Sequence, residues 1–518
     1  MRFLFVLFLG CLVFTSCRND FKFTPSENGS LRFSRDTIYL DTVFTGISSS
    51  TYTLKVYNNT KTDIKIPSIR MGKGLTSNYR MTVDGMVGNQ NRIFQEVELL
   101  AKDSMFIFIE QTSNIADANP NDFLYTDIIE FTHADGQKQK VDVVTLIQDA
   151  IFIKPDRDID TKIKETLQLS GVATNIVGHQ LTDNELVWTN QKPYVVYGYA
   201  LVANNKTLQI QAGTKVHFHA NSGIIVDKQG TIQIQGALSD YDAEGNILVD
   251  RWVRFEGDRL EPAFENVAGQ WGTVLILSEN QNQINYLDLK NAAVGILIQP
   301  LDINQNYQTK LQIDNSRIYQ CTNIGLLSRG AKIEGKNLVI NQCGVASFAG
   351  TFGGDYEFTH ATFCNFWNSS RQVSVLLTNN FETPETLYLQ DLVKSQFNNC
   401  MIYGSNNIQM LFDNKQPSGN TTQFNYFFNH CLIRFNNQNN QFTNNPLYDF
   451  SNSNLFLNCT IARNSVEFAP KFINRLRSDL RLEEAYDRPV NNSFANFNDI
   501  LGNSRTNQPN LGAYQFVP

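Results

Sequence analysis

The sequence carries little charge and lacks the short motifs that identify most enzymes. Only 18% of its 518 residues are charged, and the 43 basic and 50 acidic residues give a net charge of −7. Both signs are scattered along the chain, so the basic surface of a nucleic-acid-binding protein is absent and no nucleic-acid partner is expected. P-loop, nucleophile-elbow and zinc-protease motifs are missing, so we predict no catalytic residues, no cofactor and no metal.

Long helix-forming runs of Ala, Leu, Glu and Lys are also missing, whereas 37 Phe and 19 Tyr residues are present. Aromatic residues are enriched in strands, so the composition favours an all-β protein. After residue 14, no stretch approaches the ~18 apolar residues of a membrane-spanning helix. We therefore expect a chain of two or more domains that does not cross a membrane.

The first residues have the pattern of an export signal. Arg2 precedes an apolar stretch, residues 3–14, that is too short for a transmembrane helix. The following Phe14-Thr15-Ser16-Cys17 resembles a bacterial lipobox, with Phe14 in place of the usual Leu. The resemblance implies that residues 1–16 are a lipoprotein signal peptide and that Cys17 receives lipid. An ordinary secretory signal followed by a chance Cys is the alternative.

Residues 17–30 are polar and are predicted to be a tether, with lipid on Cys17 anchoring the protein in the outer membrane. The sequence Arg18-Asn19-Asp20 lacks an acidic surface-export run, so the periplasmic face and the cell surface both stay open. Short strands of alternating polarity then recur at intervals of roughly 8 to 15 residues, which predicts a β-sandwich over residues 31–152. Lys55-Val56-Tyr57-Asn58-Asn59-Thr60 resembles the immunoglobulin-like ASH/MSP group, which implies an immunoglobulin-like sandwich.

Residues 153–187 are predicted to be a linker with a short helix over residues 161–169. A phrase then recurs in the C-terminal half, which is typical of a solenoid. Its clearest copies are Phe397-Asn398-Asn399-Cys400-Met401-Ile402, Phe428-Asn429-His430-Cys431-Leu432-Ile433 and Phe456-Leu457-Asn458-Cys459-Thr460-Ile461.

Two further phrases mark the start and the end of this solenoid. Thr207-Leu208-Gln209-Ile210-Gln211-Ala212-Gly213-Thr214-Lys215-Val216-His217-Phe218 resembles the opening coils of right-handed parallel β-helix proteins. Asp499, Gly502, Arg505 and Gly512-Ala513-Tyr514 resemble the closing segment of β-helix surface and secreted proteins. The resemblance implies a right-handed parallel β-helix over residues 188–518. Alternation predicts one set of residues inside, namely Leu208, Ile210, Val216, Phe218, Ile232 and Ile234, and another outside, namely Gln209, Gln211, His217, His219, Gln233 and Gln235.

Each group of residues that could form a catalytic, metal-binding or modification site also has a purely structural explanation. Six cysteines at the repeat are expected to form one buried ladder of free thiols, with disulfides or a metal site as alternatives: Cys321, Cys343, Cys364, Cys400, Cys431 and Cys459. His217 and His219 would make half of a zinc site, but exposed histidines without metal are expected. His360 and His430 are expected to pack near the ladder. The charged residues 250–261 are expected to pair with one another. Thr37, Thr42 and Ser104 follow Asp in the pattern of a bacterial O-glycosylation acceptor.

Two functions fit this reading. An outer face rich in Gln, Asn, Tyr and Phe suits a non-enzymatic binding or assembly component. Its expected partners are membrane lipid through Cys17 and either a polysaccharide or an integral outer-membrane protein. The alternative is a polysaccharide lyase or hydrolase, because parallel β-helices host such enzymes. Three acids, or an acid–Arg/Lys group, within ~5 Å in an outer-face groove would favour the enzyme.

Membrane attachment should depend on Cys17. We expect a Cys17→Ala chain, exported behind a cleavable signal peptide, to fold normally and to appear in the soluble periplasmic fraction, because no other segment can hold it in a bilayer. Fractionation after a high-salt wash checks this. Retention in the membrane would instead indicate a tightly bound integral partner.

Overall fold

A computed structural model describes residues 22–119, 123–242, 246–302, 309–419, 421–464, 466–505 and 509–517. The chain divides into two compact units, Met1–Asp149 and Ala150–Pro518. Strands dominate both units, and the described residues contain no α-helix. Their helices are the 3-10 turns Gly74–Thr76, Ile115–Asp117, Asp183–Glu185, Pro262–Phe264, Pro446–Tyr448, Arg475–Arg477 and Asn492–Phe494. None of the described helices is long and apolar enough to span a bilayer. The predicted signal peptide, residues 1–16, and Cys17 lie outside the described residues.

The first unit consists of two sheets that pack around one core. The larger sheet contains Thr24–Pro25, Thr37–Phe44, Ile64–Met71, Ile93–Leu99, Leu124–Thr132 and Lys138–Gln148. The smaller sheet contains Leu31–Phe33, Tyr52–Asn58, Tyr79–Val83 and Ser104–Gln111. Alternate residues of both sheets, such as Leu54 and Ile66, are fully buried between them. Thr24–Pro25 pairs with Ile64 and Lys65, so regular structure begins inside the segment predicted as a tether.

The second unit is built from three long parallel sheets. The first long sheet contains Ile151–Ile153, Tyr194–Val196, Lys215–Phe218, Val253–Gly257, Leu287–Lys290, Arg317–Cys321, Val339–Cys343, Thr362–Asn365, Met401–Gly404, Leu432–Arg434 and Thr460–Ala462. The second contains Thr166–Leu169, Val172–Gln180, Tyr199–Val202, Gly223–Val226, Val274–Ile276, Ile296–Ile298, Ile324–Arg329, Ala346–Thr351, Val373–Thr378 and Met410–Asp413. The third contains Val187–Trp188, Thr207–Gln211, Thr231–Gln235, Gln281–Asn285, Lys310–Asp314, Lys332–Lys336, Gly354–Thr359, Leu392–Asn398, Phe427–Asn429 and Phe456–Leu457.

The chain visits the three long sheets in turn, and each strand pairs with the strand one circuit later. Thr207, for example, is in register with Thr231, and Leu208 with Ile232. Side chains from all three sheets meet in one apolar core. Every residue predicted to point inward is at most 1% exposed. Of those predicted to point outward, His217 differs because it is only 4% exposed, whereas Gln209 and His219 are open to solvent.

Short additional strands decorate this unit. They form the two-stranded pairs Asp240–Tyr241 with Ile247–Val249, Asn380–Glu382 with Leu387–Leu389, and Phe472–Asn474 with Asp479–Leu482.

The segment predicted as a linker belongs to the second unit. Ile151–Ile153 already pairs with Tyr194–Val196, and Thr166–Leu169 forms an antiparallel hairpin with Val172–Gln180. The short helix expected over residues 161–169 is wrong. The reason is the period-2 pattern of Leu167 and Leu169, which lie on the hairpin at the end of the second long sheet and pack with Leu201 and Ile225.

The six cysteines of the second unit are free thiols, but they do not form one ladder. Cys321 and Cys343 are in register at strand ends, whereas Cys400 and Cys431 each directly precede a strand. Cys364 aligns with Tyr403 on the outer face of the first long sheet. The register of Ile340 with Phe363 places Cys364 beside Asn341 and not beside Cys343, so similar spacing did not guarantee equal positions. Burial raises the pKa of Cys343 and Cys431 well above the ordinary thiol value, which keeps both thiols protonated.

A column of left-handed residues marks the corner between the third and first long sheets. Its members have φ between 47° and 53° and are Tyr286, Asn315, Asn337, His360, Asn399, His430 and Asn458. Asn tolerates this conformation best after Gly, which explains its recurrence. Neighbouring circuits are linked by hydrogen bonds: Asn337 Nδ2 donates to Asn315 Oδ1 at 2.8 Å, and Asn399 Nδ2 donates to His360 Nε2 at 3.0 Å. His360 and His430 therefore serve as members of this left-handed column.

The closing segment, residues 466–505 and 509–517, covers part of the outer face of the first long sheet. Its apolar side chains form a second core with outward residues of that sheet, including Met401 and Leu432. Gly512 N donates to Asn399 O at 2.8 Å, and Asn491 N donates to Asn399 Oδ1 at 2.8 Å. The left-handed column is therefore the attachment line of the closing segment.

Arg505 fastens the closing segment from within. Its side chain is 1% exposed. Nη2 donates to Asn337 Oδ1 at 2.9 Å and to the carbonyls of Gly512 and Ala513 at 3.1 and 3.0 Å. Burial lowers the pKa of Arg505 to about 10, and Asp499 partly opposes this shift. These contacts explain why the phrase that resembles a β-helix closing segment contains both an Arg and a Gly-Ala pair.

Removing the buried guanidinium should destabilise the second unit. We expect Arg505→Ala to lower the free energy of unfolding by roughly 3–5 kcal/mol, because it removes hydrogen bonds to four buried acceptors and opens a cavity. The exposed Arg463→Ala should change it by less than about 0.5 kcal/mol. Urea unfolding of both variants measures the difference. Equal effects would show that the closing segment does not depend on Arg505.

Candidate ligand-binding site

Three neighbouring strands place charged side chains in one line on the outer face of the first long sheet. Arg254, Asp288 and Arg317 are paired in register on Val253–Gly257, Leu287–Lys290 and Arg317–Cys321. Parallel in-register strands lie about 4.8 Å apart, so these side chains are held side by side by the backbone ladder. The line is set by the sheet and does not require a loop to hold it.

These side chains form a continuous chain of ion pairs. Arg254 Nε donates to Asp250 Oδ2 at 2.8 Å, and Arg254 Nη1 donates to Asp288 Oδ2 at 2.8 Å. Arg317 Nη2 donates to the same Asp288 oxygen at 2.7 Å. The two carboxylates are therefore brought together by a shared arginine. This arrangement satisfies the spacing of an acid–Arg group that we set for an outer-face groove.

A cavity of about 540 Å³, here called the arginine pocket, opens above this chain. One wall is the pair Asp240–Tyr241 and Ile247–Val249, and the other is the closing segment. The lining residues are Ser239, Tyr241, Ile247, Asp250, Trp252, Arg254, Arg317, Tyr319, Arg477, Ser478, Asp479, Arg481, Leu501, Asn503 and Tyr514. Three separate parts of the chain thus contribute to one pocket.

Aromatic rings form much of the pocket wall. The Arg317 guanidinium carbon lies 4.5 Å from the centre of the Trp252 ring, and Trp252 packs edge-on against Tyr286 at 5.2 Å. Burial raises the pKa of Tyr319 well above its ordinary value, and Asp288 adds to the shift. Burial likewise raises the pKa of Tyr514. Both phenols stay protonated and can donate hydrogen bonds.

The carboxylates of the pocket are held ionised. Burial opposes ionisation of Asp250, but the hydrogen bond and charge of Arg254 outweigh it and lower the pKa of Asp250. Arg481, whose Nη2 lies 2.6 Å from Asp479 Oδ2, likewise outweighs burial and lowers the pKa of Asp479. A general acid needs the opposite shift, so these groups are suited to accept hydrogen bonds from a ligand.

The sequence pointed to part of this pocket. Of the charged residues 250–261, Asp250 and Arg254 reach it, while Arg259 pairs with Glu261 at 3.0 Å outside it. Reasoning from sequence missed Asp288, Arg317, Tyr319, Arg481 and Tyr514. Only knowledge of the strand register could have aligned residues so far apart in the chain.

His217 and His219, the two residues considered as zinc ligands, have different surroundings and different carboxylate partners. His217 Nδ1 lies 3.6 Å from Glu256 Oε1, and burial lowers the pKa of His217. His219 Nδ1 bonds Asp258 Oδ2 at 2.7 Å, and its ring stacks on Tyr197. In the part of the chain that the structure describes, no three His, Cys, Asp or Glu side chains are grouped for a metal.

The glycosylation candidates Thr37, Thr42 and Ser104 lie on strands of the first unit and are half-buried. The third long sheet carries the amide-rich outer face expected for binding. Gln209, Gln233, Gln283 and Gln312 are in register on successive circuits. This face is open and flat, and it lacks the walls of the arginine pocket.

Comparison with known proteins adds little to this geometry. No protein-family model and no curated protein matches the chain. Solved structures with a likeness include a family 123 glycoside hydrolase from Clostridium perfringens, the periplasmic chaperone SfaE and an ASH/PapD-like domain of human CEP192. Sequence identity is 11%, 14% and 12%, and the TM-scores are 0.17, 0.16 and 0.15. Each match covers 23% of this chain and, in the same order, 25%, 58% and 86% of the other. At this level the likenesses identify neither a family nor an activity.

Low pH should remove the contribution that Asp250 makes to the stability of the second unit. Its folded pKa is lowered, so its contribution to stability is complete above the unfolded value of about 3.9 and is lost as the pH falls through the folded value. Asp250→Asn should therefore lower the free energy of unfolding at neutral pH, and this deficit should shrink below about pH 4. Urea unfolding across this pH range, with the exposed Asp487→Asn as control, measures it. A deficit independent of pH would contradict the assignment.

Proposed function

We propose that this protein is a lipid-anchored outer-membrane protein that binds a glycan in the arginine pocket without cleaving it. In this proposal Cys17 carries the lipid, the first unit is an immunoglobulin-like sandwich, and the second unit is a closed right-handed parallel β-helix. The lipobox-like Phe14-Thr15-Ser16-Cys17 supports the anchor. The regular succession of three parallel sheets around one core supports the β-helix.

The composition of the arginine pocket carries the proposal of glycan binding. Sugar rings have apolar faces that pack on aromatic rings, and hydroxyl groups that bond planar polar side chains. The pocket offers the exposed ring of Tyr241 beside Arg254, Arg317 and Asp250, while the buried Trp252 supports Arg317 from behind. Its volume of about 540 Å³ falls within the roughly 300–1,000 Å³ of small-ligand sites. The ion pairs fix these polar groups before a ligand arrives, which lowers the entropy lost on binding.

A polysaccharide lyase or hydrolase is the second candidate, and one observation favours it. Asp250 and Asp288 are held by the same Arg254, so two carboxylates and an arginine lie together in an outer-face pocket. Hydrolysis needs one carboxyl group with a raised pKa as proton donor. Asp250 and Asp479 have lowered values, and Asp288 is buried between two arginines. Binding is therefore better supported than hydrolysis.

Affinity electrophoresis in gels containing polygalacturonate, alginate, dextran or mannan tests the proposal. We expect at least one polysaccharide to retard the protein. Tyr241→Ala and Arg481→Ala should weaken that retardation about tenfold, because both exposed side chains line the pocket. Tyr388→Ala is the matched control, since Tyr388 also lies on a short two-stranded pair of the second unit but away from the pocket.

Two results would overturn binding at this pocket. One is retardation that survives both pocket variants, and the other is retardation that Tyr388→Ala removes equally. Incubation of each polysaccharide with the protein, followed by size analysis and ultraviolet absorbance of unsaturated ends, detects cleavage. Shortened chains would replace the binding proposal with the enzyme.

A further inference from the structure

The smaller sheet of the first unit departs from the usual pattern on its outer face. In the strand Ser104–Gln111, Met105, Ile107 and Ile109 are buried, so Phe106 and Phe108 point to solvent. The two phenylalanines are 44% and 40% exposed. A sheet with one solvated face normally carries polar residues at such positions. Contiguous exposed aromatic residues mark a contact surface.

Basic side chains accompany these rings. Lys55 Nζ lies 5.2 Å from the ring centres of both Tyr57 and Phe106, and the Arg32 guanidinium lies 4.8 Å from that of Tyr57. The rings of Phe106 and Phe108 are 6.3 Å apart. Arg32, Lys55, Tyr57, Phe106 and Phe108 thus form one surface, here called the aromatic ridge. Aromatic rings flanked by Lys and Arg are the composition of membrane-interface segments.

The acidic side chains on the outer face of the larger sheet are paired with lysines. Glu96 and Glu98 lie 3.7 and 3.4 Å from Lys65 Nζ, and Asp142 lies 3.6 Å from Lys140 Nζ. Tyr39 is the exposed large apolar residue of Thr37–Phe44. An anionic lipid surface would therefore attract the smaller sheet, which carries Arg32 and Lys55 beside its rings, more than the larger one. The charge distribution of the first unit therefore favours one orientation at a bilayer.

Chain length brings this unit to the bilayer. Six residues separate Cys17 from Thr24, where the first strand begins. The seven steps from Cys17 to Thr24 reach at most about 25 Å when the chain is fully extended. If Cys17 carries lipid, as proposed above, the first unit lies within that distance of the membrane.

We propose that the aromatic ridge is a second membrane contact, which docks on the anionic phospholipid surface beside the anchor. Phe106 and Phe108 enter the interfacial region, and Arg32 and Lys55 contact the phosphates. Such a contact is weak by itself and becomes effective once the lipid anchor holds the unit nearby. It orients the first unit with its smaller sheet towards the bilayer.

Vesicle flotation with the mature chain, residues 18–518 without lipid, tests the ridge directly. The vesicles contain either phosphatidylglycerol with phosphatidylethanolamine or phosphatidylcholine alone. We expect binding to the anionic vesicles that is at least about fivefold stronger than to phosphatidylcholine. The double variant Phe106→Thr/Phe108→Thr should lose about tenfold of it, whereas Tyr39→Thr should lose none.

The other results of this assay either support or contradict docking of the aromatic ridge on a membrane. Lys55→Glu should weaken binding to the anionic vesicles alone, and equal weakening on both vesicles would contradict the role of charge. Absence of vesicle binding, or binding that survives the double variant, would overturn the proposal. A dimer that the double variant dissociates, without vesicle binding, would assign the ridge to a second copy of the chain. Because the chain carries no lipid, failure here is separate from failure at Cys17 or at the arginine pocket.

Discussion

The stacked left-handed column is the interaction on which the second unit depends. At each corner from Tyr286 to Asn458 the backbone adopts positive φ, and side chains of neighbouring circuits bond along the axis. The corner N–H groups themselves donate to backbone carbonyls of the next circuit, as Asn337 N does to Thr359 O, so the side-chain bonds are additional links between circuits. The same Asn and His side chains then bind the closing segment through Arg505, Gly512 and Asn491. The left-handed column therefore both shapes the corner and holds the closing segment in place.

The arginine pocket follows from that attachment. The first long sheet supplies Arg254, Asp288 and Arg317 in register, and the closing segment supplies Arg481 and Tyr514 on the opposite wall. Without the closing segment, the charged line would be a flat strip of sheet, open to water and screened by salt. With it, the same charges lie in a walled cavity where hydrogen bonds to a ligand are stronger. The binding function we propose therefore depends on the closing segment, which covers the first long sheet and completes the pocket.

Sequence patterns predicted the fold better than the site. Period-2 alternation correctly assigned the interior residues from Leu208 to Ile234, because alternation and burial depend on nearest neighbours. The same rule would have shown Leu167 and Leu169 to lie on a strand, but the surrounding polar residues masked it. The single cysteine ladder is wrong because similar spacing did not give the same register, and Cys364 lies beside Asn341, not Cys343, on the outer face. The residues that line the pocket are spread along the chain from Ser239 to Tyr514. No local sequence pattern predicts that such distant residues meet.

Hydrogen–deuterium exchange of the mature chain, with and without a polysaccharide that retards it, tests the central claim most directly. Amide exchange reports local opening, so a bound ligand should slow it where it contacts the protein. The account predicts slower exchange in residues 246–254 and 477–482, which form the two walls of the arginine pocket. Slowing confined to the amide-rich strands Thr207–Gln211 and Thr231–Gln235 would contradict it and place the ligand on the open face of the third long sheet.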